Sequence, residues 1–244
     1  MALVLEPLAE KGGCTTRLVD LDSSIRLQHL QAAGVNVGRY FYEIAERVQV
    51  AGGQPDSYFD VALEALGGSI ANLDNSGKLI NQGLIAMMSH VVVASLLVEG
   101  DGVAVCEYVP VVLKNSSALD GQSRNQFRQQ VVATSRSVHK KKFPSLETTS
   151  LADWYEKSIQ PSRDLGYESG AIWAEELLSG LPLVQKMYVE ARNYTDQGLL
   201  VAMEKSYELG TQLLPIKSPG FIADYVGLVA YLLLREDEKS WLIK

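Results

Sequence analysis

Hydrophobic residues recur every three or four positions along most of the chain, the spacing that places them on one face of an α-helix. Many of these patterns follow a capping residue or a first-turn proline and stop at glycine or proline. The sequence therefore predicts a mainly α-helical fold. The predicted helices cover approximately residues 24–33, 36–48, 58–66, 79–98, 123–143, 151–160, 167–179, 182–193, 196–214 and 219–233.

The most apolar pattern, residues 79–98, is interrupted by polar side chains and falls short of the roughly 20 apolar residues of a membrane span. It predicts a central buried helix, in which His90 would be a hydrogen-bonded core histidine. Residues 103–113 are rich in β-branched side chains, which predicts a strand. Pro110 limits that strand to a sheet edge or an isolated ribbon, because proline donates no ladder hydrogen bond. A second short strand is predicted at residues 15–19.

This order of elements predicts two helical lobes joined by a basic helix, with a little irregular β-structure and extended terminal arms. The acids at positions 236–238 are expected to lie in solvent. The predicted segments are an N-terminal arm (1–22), an N-terminal helical lobe (23–113), a basic connecting helix (114–144), a C-terminal helical lobe (145–235) and a C-terminal tail (236–244).

Positive charge is concentrated in one part of the chain. The 244 residues are 47% hydrophobic and 21% charged, as in a globular protein, and the net charge is −7. The basic stretch, defined as residues 114–143, holds seven Lys and Arg residues against the single acid Asp120, a net charge of +6, so the remaining residues carry −13. This distribution indicates a local site for a polyanion and argues against a general nucleic-acid coat that works by its overall charge.

The basic stretch has the pattern of a helix that begins with a Ser-x-x-Gln capping box at Ser123 and ends before Pro144. Phe127 and Val131 fall on its packed stripe, and the arginines turn onto a neighbouring face that we expect to be open to a ligand. A solvated face with cations at the helix C-terminus is the alternative interpretation. The predicted nucleic-acid contacts are Lys114, Arg124, Arg128, Arg136, His139, Lys140, Lys141, Lys142 and Phe143.

No catalytic or metal-binding motif is complete in the sequence. None of the three histidines has a second ligand at the spacing of a zinc site. Residues 75–79 match the end of a phosphate-binding loop but lack its first glycine and its final Ser or Thr, and residues 67–71 lack the last glycine of a nucleophile elbow. We therefore expect a protein that is not an enzyme and that uses no cofactor or metal.

The compartment is predicted from the cysteines and the N-terminus. Two cysteines, neither in a CxxC pair, do not make a disulfide framework. The first residues lack both the basic region of a signal peptide and the glycine that myristoylation requires. We expect a location in the cytoplasm or within a virion, without secretion and without a membrane partner.

The leading hypothesis is a non-enzymatic structural protein that binds single-stranded RNA through the basic segment between the lobes and self-assembles, as a nucleoprotein or coat-type subunit. Viral nucleoproteins often have this organisation. The predicted partners are single-stranded nucleic acid, RNA in particular, and further copies of the chain joined through the N-terminal arm, whose apolar residues 3–8 fit neither lobe. Phe143 and Trp154 are the candidates for stacking on bases. The alternatives are a helical scaffold or accessory subunit that binds an acidic protein partner, and an enzyme assembled from scattered residues.

Overall fold

The computed structural model describes residues 27–71, 82–134 and 143–236, and within these ranges the chain forms ten α-helices and no β-strand. The prediction of a mainly helical protein is confirmed. The predicted strand at 15–19 lies outside the described residues. The helices are α1 (Leu27–Ala51), α2 (Phe59–Ala71), α3 (Gln82–Leu97), α4 (Gly102–Lys114), α5 (Ala118–Thr134), α6 (Leu151–Asp164), α7 (Glu168–Leu178), α8 (Pro182–Arg192), α9 (Leu199–Leu213) and α10 (Pro219–Glu236).

Helix α1 is one continuous element where the sequence predicted two. Gly34 was expected to end the first, but glycine stops a helix only where it takes the left-handed conformation. The helix instead continues through Gly34 and Gly38, at a cost of up to about 1 kcal/mol for each glycine. Tyr40 and Ile44 are buried on the inner face, and Tyr42 points outward with 66% of its surface exposed.

Residues 103–113 belong to helix α4, so the predicted edge strand is wrong. Asp101 caps the helix, and its Oδ1 accepts hydrogen bonds from the backbone N–H groups of Val103 (3.0 Å) and Ala104 (3.2 Å). Burial of one face in the core outweighs the strand preference of the β-branched residues. The buried residues of this face are Val105, Cys106, Val109, Val112 and Leu113.

Pro110 lies inside α4, where it leaves a gap in the helical hydrogen bonds. Proline has no N–H, so the Cys106 carbonyl four residues earlier loses its usual donor. Gly180, in the left-handed region with φ of 81°, packs against this carbonyl: a Cβ atom there would lie 3.3 Å from the Cys106 oxygen. The loop between α7 and α8 therefore packs closely on the irregular part of α4.

Helix α3 runs through the centre of the molecule, as its apolar sequence predicted. Thirteen of its 16 residues are buried, and the helix packs against α1, α2, α4 and α10. Gly227 permits the close approach of α10, because a Cβ atom there would lie 2.5 Å from Leu84 Cδ2. Across the described ranges, no single helix combines the length and hydrophobicity of a membrane span; α3 and α4 do so only as a pair, and they are bent by 107°.

The two-lobe arrangement is not confirmed. One cluster of buried hydrophobic side chains contains residues from both predicted lobes, including Ile44, Leu84, Tyr188 and Leu228. In addition, α4 contacts α6, α7 and α8, and α10 contacts α3. The core of the described residues therefore continues across the predicted boundary.

Helix α5, which carries the described part of the basic stretch, begins before the capping box predicted at Ser123. Ser117 and Asp120 form the box instead: Asp120 Oδ2 accepts from the Ser117 N–H (3.2 Å), and Ser117 Oγ accepts from the Asp120 N–H (3.3 Å). Asp120 Oδ1 also accepts from the N–H groups of Tyr58 (2.9 Å) and Phe59 (2.8 Å), where α2 starts. The one acid of the basic stretch thus joins α5 to α2.

Candidate functional site

The predicted contact residues fall into three groups. Lys114 is exposed at the end of α4. Arg124, Arg128 and Phe143 are buried, with only 6%, 4% and 4% of their surfaces exposed. The expectation that Arg124 and Arg128 present their guanidinium groups on an open helix face is therefore wrong. The remaining predicted contacts lie outside the described residues; they are Arg136, His139, Lys140, Lys141 and Lys142.

The packing of α5 explains why both arginines are buried. Asp120, Arg124, Phe127, Arg128 and Val131 follow the spacing of one helix face, and all five are buried. Helix α2 and helix α6 both pack against α5. The sequence correctly predicted Phe127 and Val131 on this face, but the polar character of the other three positions concealed that they share it.

Arg124 lies among aromatic side chains. Its guanidinium carbon is 4.2 Å from the ring centre of Trp154 and 5.1 Å from that of Phe127. Its Nε donates a hydrogen bond to the Tyr155 hydroxyl at 3.2 Å. The faces of these rings attract a cation, but they do not neutralise its charge.

Arg128 lies between two further rings. Its guanidinium carbon is 3.8 Å from the ring centre of Tyr167 and 5.0 Å from that of Phe143. Gly170 provides the space beside it, because a Cβ atom there would lie 3.0 Å from Arg128 Nη2. Tyr167 is only half-buried, so the Arg128 side chain lies directly beneath a residue at the protein surface.

Neither arginine has a counter-ion among the residues that the structure describes. Arg124 Nη1 and Arg128 Nε and Nη2 are buried without a hydrogen-bond acceptor. By contrast, Arg47, Arg163 and Arg192 each form an ion pair with a carboxylate. Burial, together with the charge of Arg124, lowers the pKa of Arg128 to about 10. Arg128 is therefore still a cation at neutral pH, in a place that disfavours one.

His90 connects this cluster to the core. Its Nδ1 lies 2.9 Å from the Tyr58 hydroxyl and its Nε2 lies 2.8 Å from the Tyr155 hydroxyl, and Tyr155 accepts the hydrogen bond from Arg124. Burial and the nearby Arg124 charge hold the pKa of His90 well below its usual value, so the ring is neutral. The prediction of a hydrogen-bonded core histidine is confirmed.

Phe143 and Trp154, the candidates for stacking on bases, are both buried, with 4% and 2% of their surfaces exposed. Their ring centres lie 6.0 Å apart, and their faces are occupied by the two arginines. Trp154 Nε1 also donates to Asn125 Oδ1 at 2.8 Å. In this conformation neither ring is open to a base. Tyr155 and Tyr167 complete the site. The sequence did not identify them, because no local pattern shows that they contact the arginines.

The acid at position 236 is also placed differently from the prediction of a solvated tail. Glu236 accepts hydrogen bonds from the Tyr188 hydroxyl and from the Gly102 N–H (2.9 Å), and it pairs with Arg192 (3.5 Å). It therefore ties the end of α10 to the start of α4. Positions 237 and 238 lie outside the described residues.

Burial raises the pKa of the Cys106 thiol to about 12, which makes it unreactive at neutral pH.

The chain matches no protein-family model, no curated protein and no solved structure. We therefore infer which kind of ligand the protein binds from the arginine cluster, defined as Arg124 and Arg128 with the rings of Phe143, Trp154, Tyr155 and Tyr167. This cluster offers hydrogen-bond donors and positive charge, and no carboxylate of the described residues is paired with it. Such an arrangement can bind an anion.

Proposed function

We propose that this protein is a non-enzymatic structural protein that binds single-stranded RNA through the basic stretch and self-assembles, as a nucleoprotein or coat-type subunit. The observation that carries the proposal is the buried pair Arg124 and Arg128, which meets no carboxylate among the described residues. A buried cation without a counter-ion destabilises the protein that holds it. An anionic ligand would remove that cost.

The charge distribution favours a polyanion as this ligand. The basic stretch carries +6 while the remaining residues carry −13. A flexible single strand can bring several phosphates to one short segment and bend away from the acidic remainder. Guanidinium groups also match phosphate oxygens in bidentate geometry. An acidic protein partner would satisfy the same charges, and the experiment below separates the two.

Two kinds of contact are proposed within the basic stretch. Lys114, which is exposed, acts with Arg136 and the lysines at 140–142 to bind phosphates. Arg124 and Arg128 act from their buried position. Contacts with phosphates carry no sequence information, so binding is expected to tolerate any RNA sequence.

Self-assembly is proposed through the N-terminal arm, residues 1–22, which lies outside the described residues. Helix α1 follows this arm and exposes Val35, Tyr42 and Val50 on its outer side, at 65%, 66% and 89% of their surfaces. Apolar side chains in such positions suit contact with another protein surface. Location in the cytoplasm or within a virion is part of this proposal.

Salt dependence of RNA binding tests the proposal. In the test variant, Lys140, Lys141 and Lys142 are changed to serine. In the matched control, three lysines outside the basic stretch are changed to serine, which alters the net charge equally: Lys186 and Lys217, which are exposed, and Lys205, which is partly exposed. Fluorescence anisotropy of labelled single-stranded RNAs of different sequence gives the affinity over a range of salt concentrations.

The test variant should bind all the RNAs more weakly. Its plot of log affinity against log salt should be less steep by about 2, because each lost phosphate contact removes about 0.7 from the slope. The control should match the wild type in slope. Absence of RNA binding by the wild-type protein would overturn the proposal and favour an acidic protein partner, and equal slopes for test variant and control would exclude the basic stretch as the RNA contact.

A further inference from the structure

The buried arginine pair contains an unsatisfied set of donors that points inward, away from bulk water. Arg124 and Arg128 stand one helical turn apart on the inner face of α5, so their charges repel each other. Three of their nitrogen atoms, Arg124 Nη1 and Arg128 Nε and Nη2, have neither water access nor an acceptor among the described residues. Groups of this kind are rarely left unpaired in a folded protein.

The arginine cluster lies close to the protein surface on one side only. On the deep side, Trp154 and Tyr155 are 2% and 1% exposed and belong to the core. On the outer side, Tyr167 is half-buried and stacks on Arg128 at 3.8 Å. Gly170, also half-buried, leaves Arg128 Nη2 without a side chain beside it. Rotation of the Tyr167 side chain would therefore uncover Arg128 on its outer side.

Helix α7 adds to the attraction for an anion. Its N-cap residue, Tyr167, stacks on Arg128 and makes no capping hydrogen bond through its side chain, and the carboxylate of the next residue, Glu168, is exposed and pairs with Arg163 at 3.6 Å. The N-terminus of a helix carries partial positive charge and free N–H groups. Two guanidinium groups next to such a terminus match a tetrahedral oxyanion, which accepts several hydrogen bonds at once.

We propose that Arg124 and Arg128 bind one phosphate group of the RNA, which enters when the Tyr167 side chain turns away from Arg128. This inference rests on the proposed function, and it identifies one phosphate contact as buried, in addition to the contacts proposed for the lysines. A phosphodiester of the strand and a free phosphate ion have the same chemistry at this site. The experiment separates these two sources.

Thermal unfolding is measured in chloride and in phosphate buffer at equal pH and ionic strength. The test variant is Arg128→Met, because methionine has an unbranched side chain like arginine but is apolar and carries no charge. The matched control is Arg163→Met, since Arg163 is an exposed arginine paired with Glu175 at the surface. A third variant, Tyr167→Ala, removes the outer cover. Each protein is also measured with a short single-stranded oligouridylate.

Phosphate should raise the Tm of the wild type and of Arg163→Met by about 3–6 °C. Arg128→Met should be more stable than the wild type in chloride, because a buried unpaired charge has gone, and it should show no phosphate shift. Tyr167→Ala should show a larger phosphate shift than the wild type. The oligouridylate should shift the wild type and not Arg128→Met.

Other outcomes overturn the inference in distinguishable ways. If phosphate shifts Arg128→Met as much as the wild type, or shifts neither, the pair is not a phosphate site. If the oligouridylate stabilises both equally, RNA binding stands and only the buried contact is wrong. If phosphate acts through Arg128 but no RNA binds, the site takes a free phosphate ion, and both the inference and the proposed function fail.

Discussion

Glu176 is a carboxyl group held in the core where α7 meets α8. Only 7% of its surface is exposed, and its Oε2 accepts the Leu183 N–H at 3.0 Å. This bond serves the first turn of α8, whose N-cap residue, Leu181, makes no side-chain cap and has φ of 57°. Burial raises the pKa of Glu176 to about 7, against the opposing effects of the Leu183 hydrogen bond and the Lys186 charge.

The raised pKa of Glu176 predicts that stability falls with rising pH in one window. Between about pH 4.5 and 7 the unfolded chain releases this proton and the folded chain keeps it, so the free energy of unfolding decreases as pH rises. The shift corresponds to roughly 3 kcal/mol across that window. Glu176→Gln should abolish this decrease. Urea unfolding at several pH values between 4.5 and 7 measures it.

The comparison needs a matched control, because His90 acts in the opposite direction. Its pKa is lowered in the folded protein, so below about pH 6.5 protonation favours the unfolded chain. Taking the difference between wild type and variant removes this contribution. Glu175→Gln, at an exposed neighbouring acid, should follow the wild-type profile. Parallel profiles for wild type and Glu176→Gln would show that Glu176 does not titrate as described.

The sequence identified four of the six residues of the arginine cluster. The charge excess of the basic stretch identified Arg124 and Arg128, and the aromatic residues near it suggested Phe143 and Trp154. Exposure was predicted wrongly, because a single chain gives no sign that α6 and α7 cover the arginines. Tyr167 could not be predicted at all, since its relation to Arg128 exists only after those helices have packed.

At the scale of elements, the pattern predicted α3 and the C-terminal helices to within a few residues, because apolar periodicity and caps agree there. The exceptions have local physical causes. Pro161 was expected to end α6, yet that helix continues to Asp164. In α4, the β-branched residues favour a strand, but burial of one helix face in the core outweighs that preference. In α5, the sequence predicted the capping box at Ser123, whereas Ser117 and Asp120 form the box that begins the helix.

Asp120 should be an unusually important capping residue, because it serves two helices. It accepts hydrogen bonds at the start of α5 from Ser117 and at the start of α2 from Tyr58 and Phe59. We expect Asp120→Ala to cost about 3 kcal/mol, since a cap contributes about 1 kcal/mol and the buried N–H groups lose their acceptor as well. Equilibrium unfolding in urea measures this cost.

Asp101 provides the comparison for that prediction. It caps α4 alone, through Val103 and Ala104, and its other contact is an ion pair with Arg192 at the surface, which contributes little. Asp101→Ala should therefore cost only about 1 kcal/mol. Equal costs for the two alanine variants would mean that Asp120 does not hold α2 and α5 together.

At the scale of the whole molecule, one continuous core supports an acidic surface with a single basic stretch. The hydrophobic cluster runs through all ten described helices, so the described part of the basic stretch packs on the same core as the helices before and after it. Under the proposed function, a polyanion binds through the local positive charge of this stretch. Self-assembly is proposed to use segments outside this core.

The N-terminal arm is the segment to which we assign assembly. Deleting residues 1–20 should lower the molar mass in solution, as measured by light scattering during size-exclusion chromatography, without loss of the helical circular dichroism spectrum. Replacing Leu3, Leu5 and Leu8 with serine should have the same effect, because the contact is apolar. Glu6→Gln with Glu10→Gln serves as the control and should not. An unchanged mass after the deletion would exclude the arm as the link between subunits.

Mapping of RNA cross-links tests whether the basic stretch and the arginine cluster bind RNA. The full-length protein is irradiated with a photoreactive single-stranded RNA, digested, and analysed by mass spectrometry for peptides that carry nucleotide. We predict that the cross-linked peptides lie in the basic stretch and around Tyr167, and that free inorganic phosphate in excess reduces the signal at Tyr167 first. Cross-links spread over helices α8 to α10, with none in the basic stretch, would contradict this proposal.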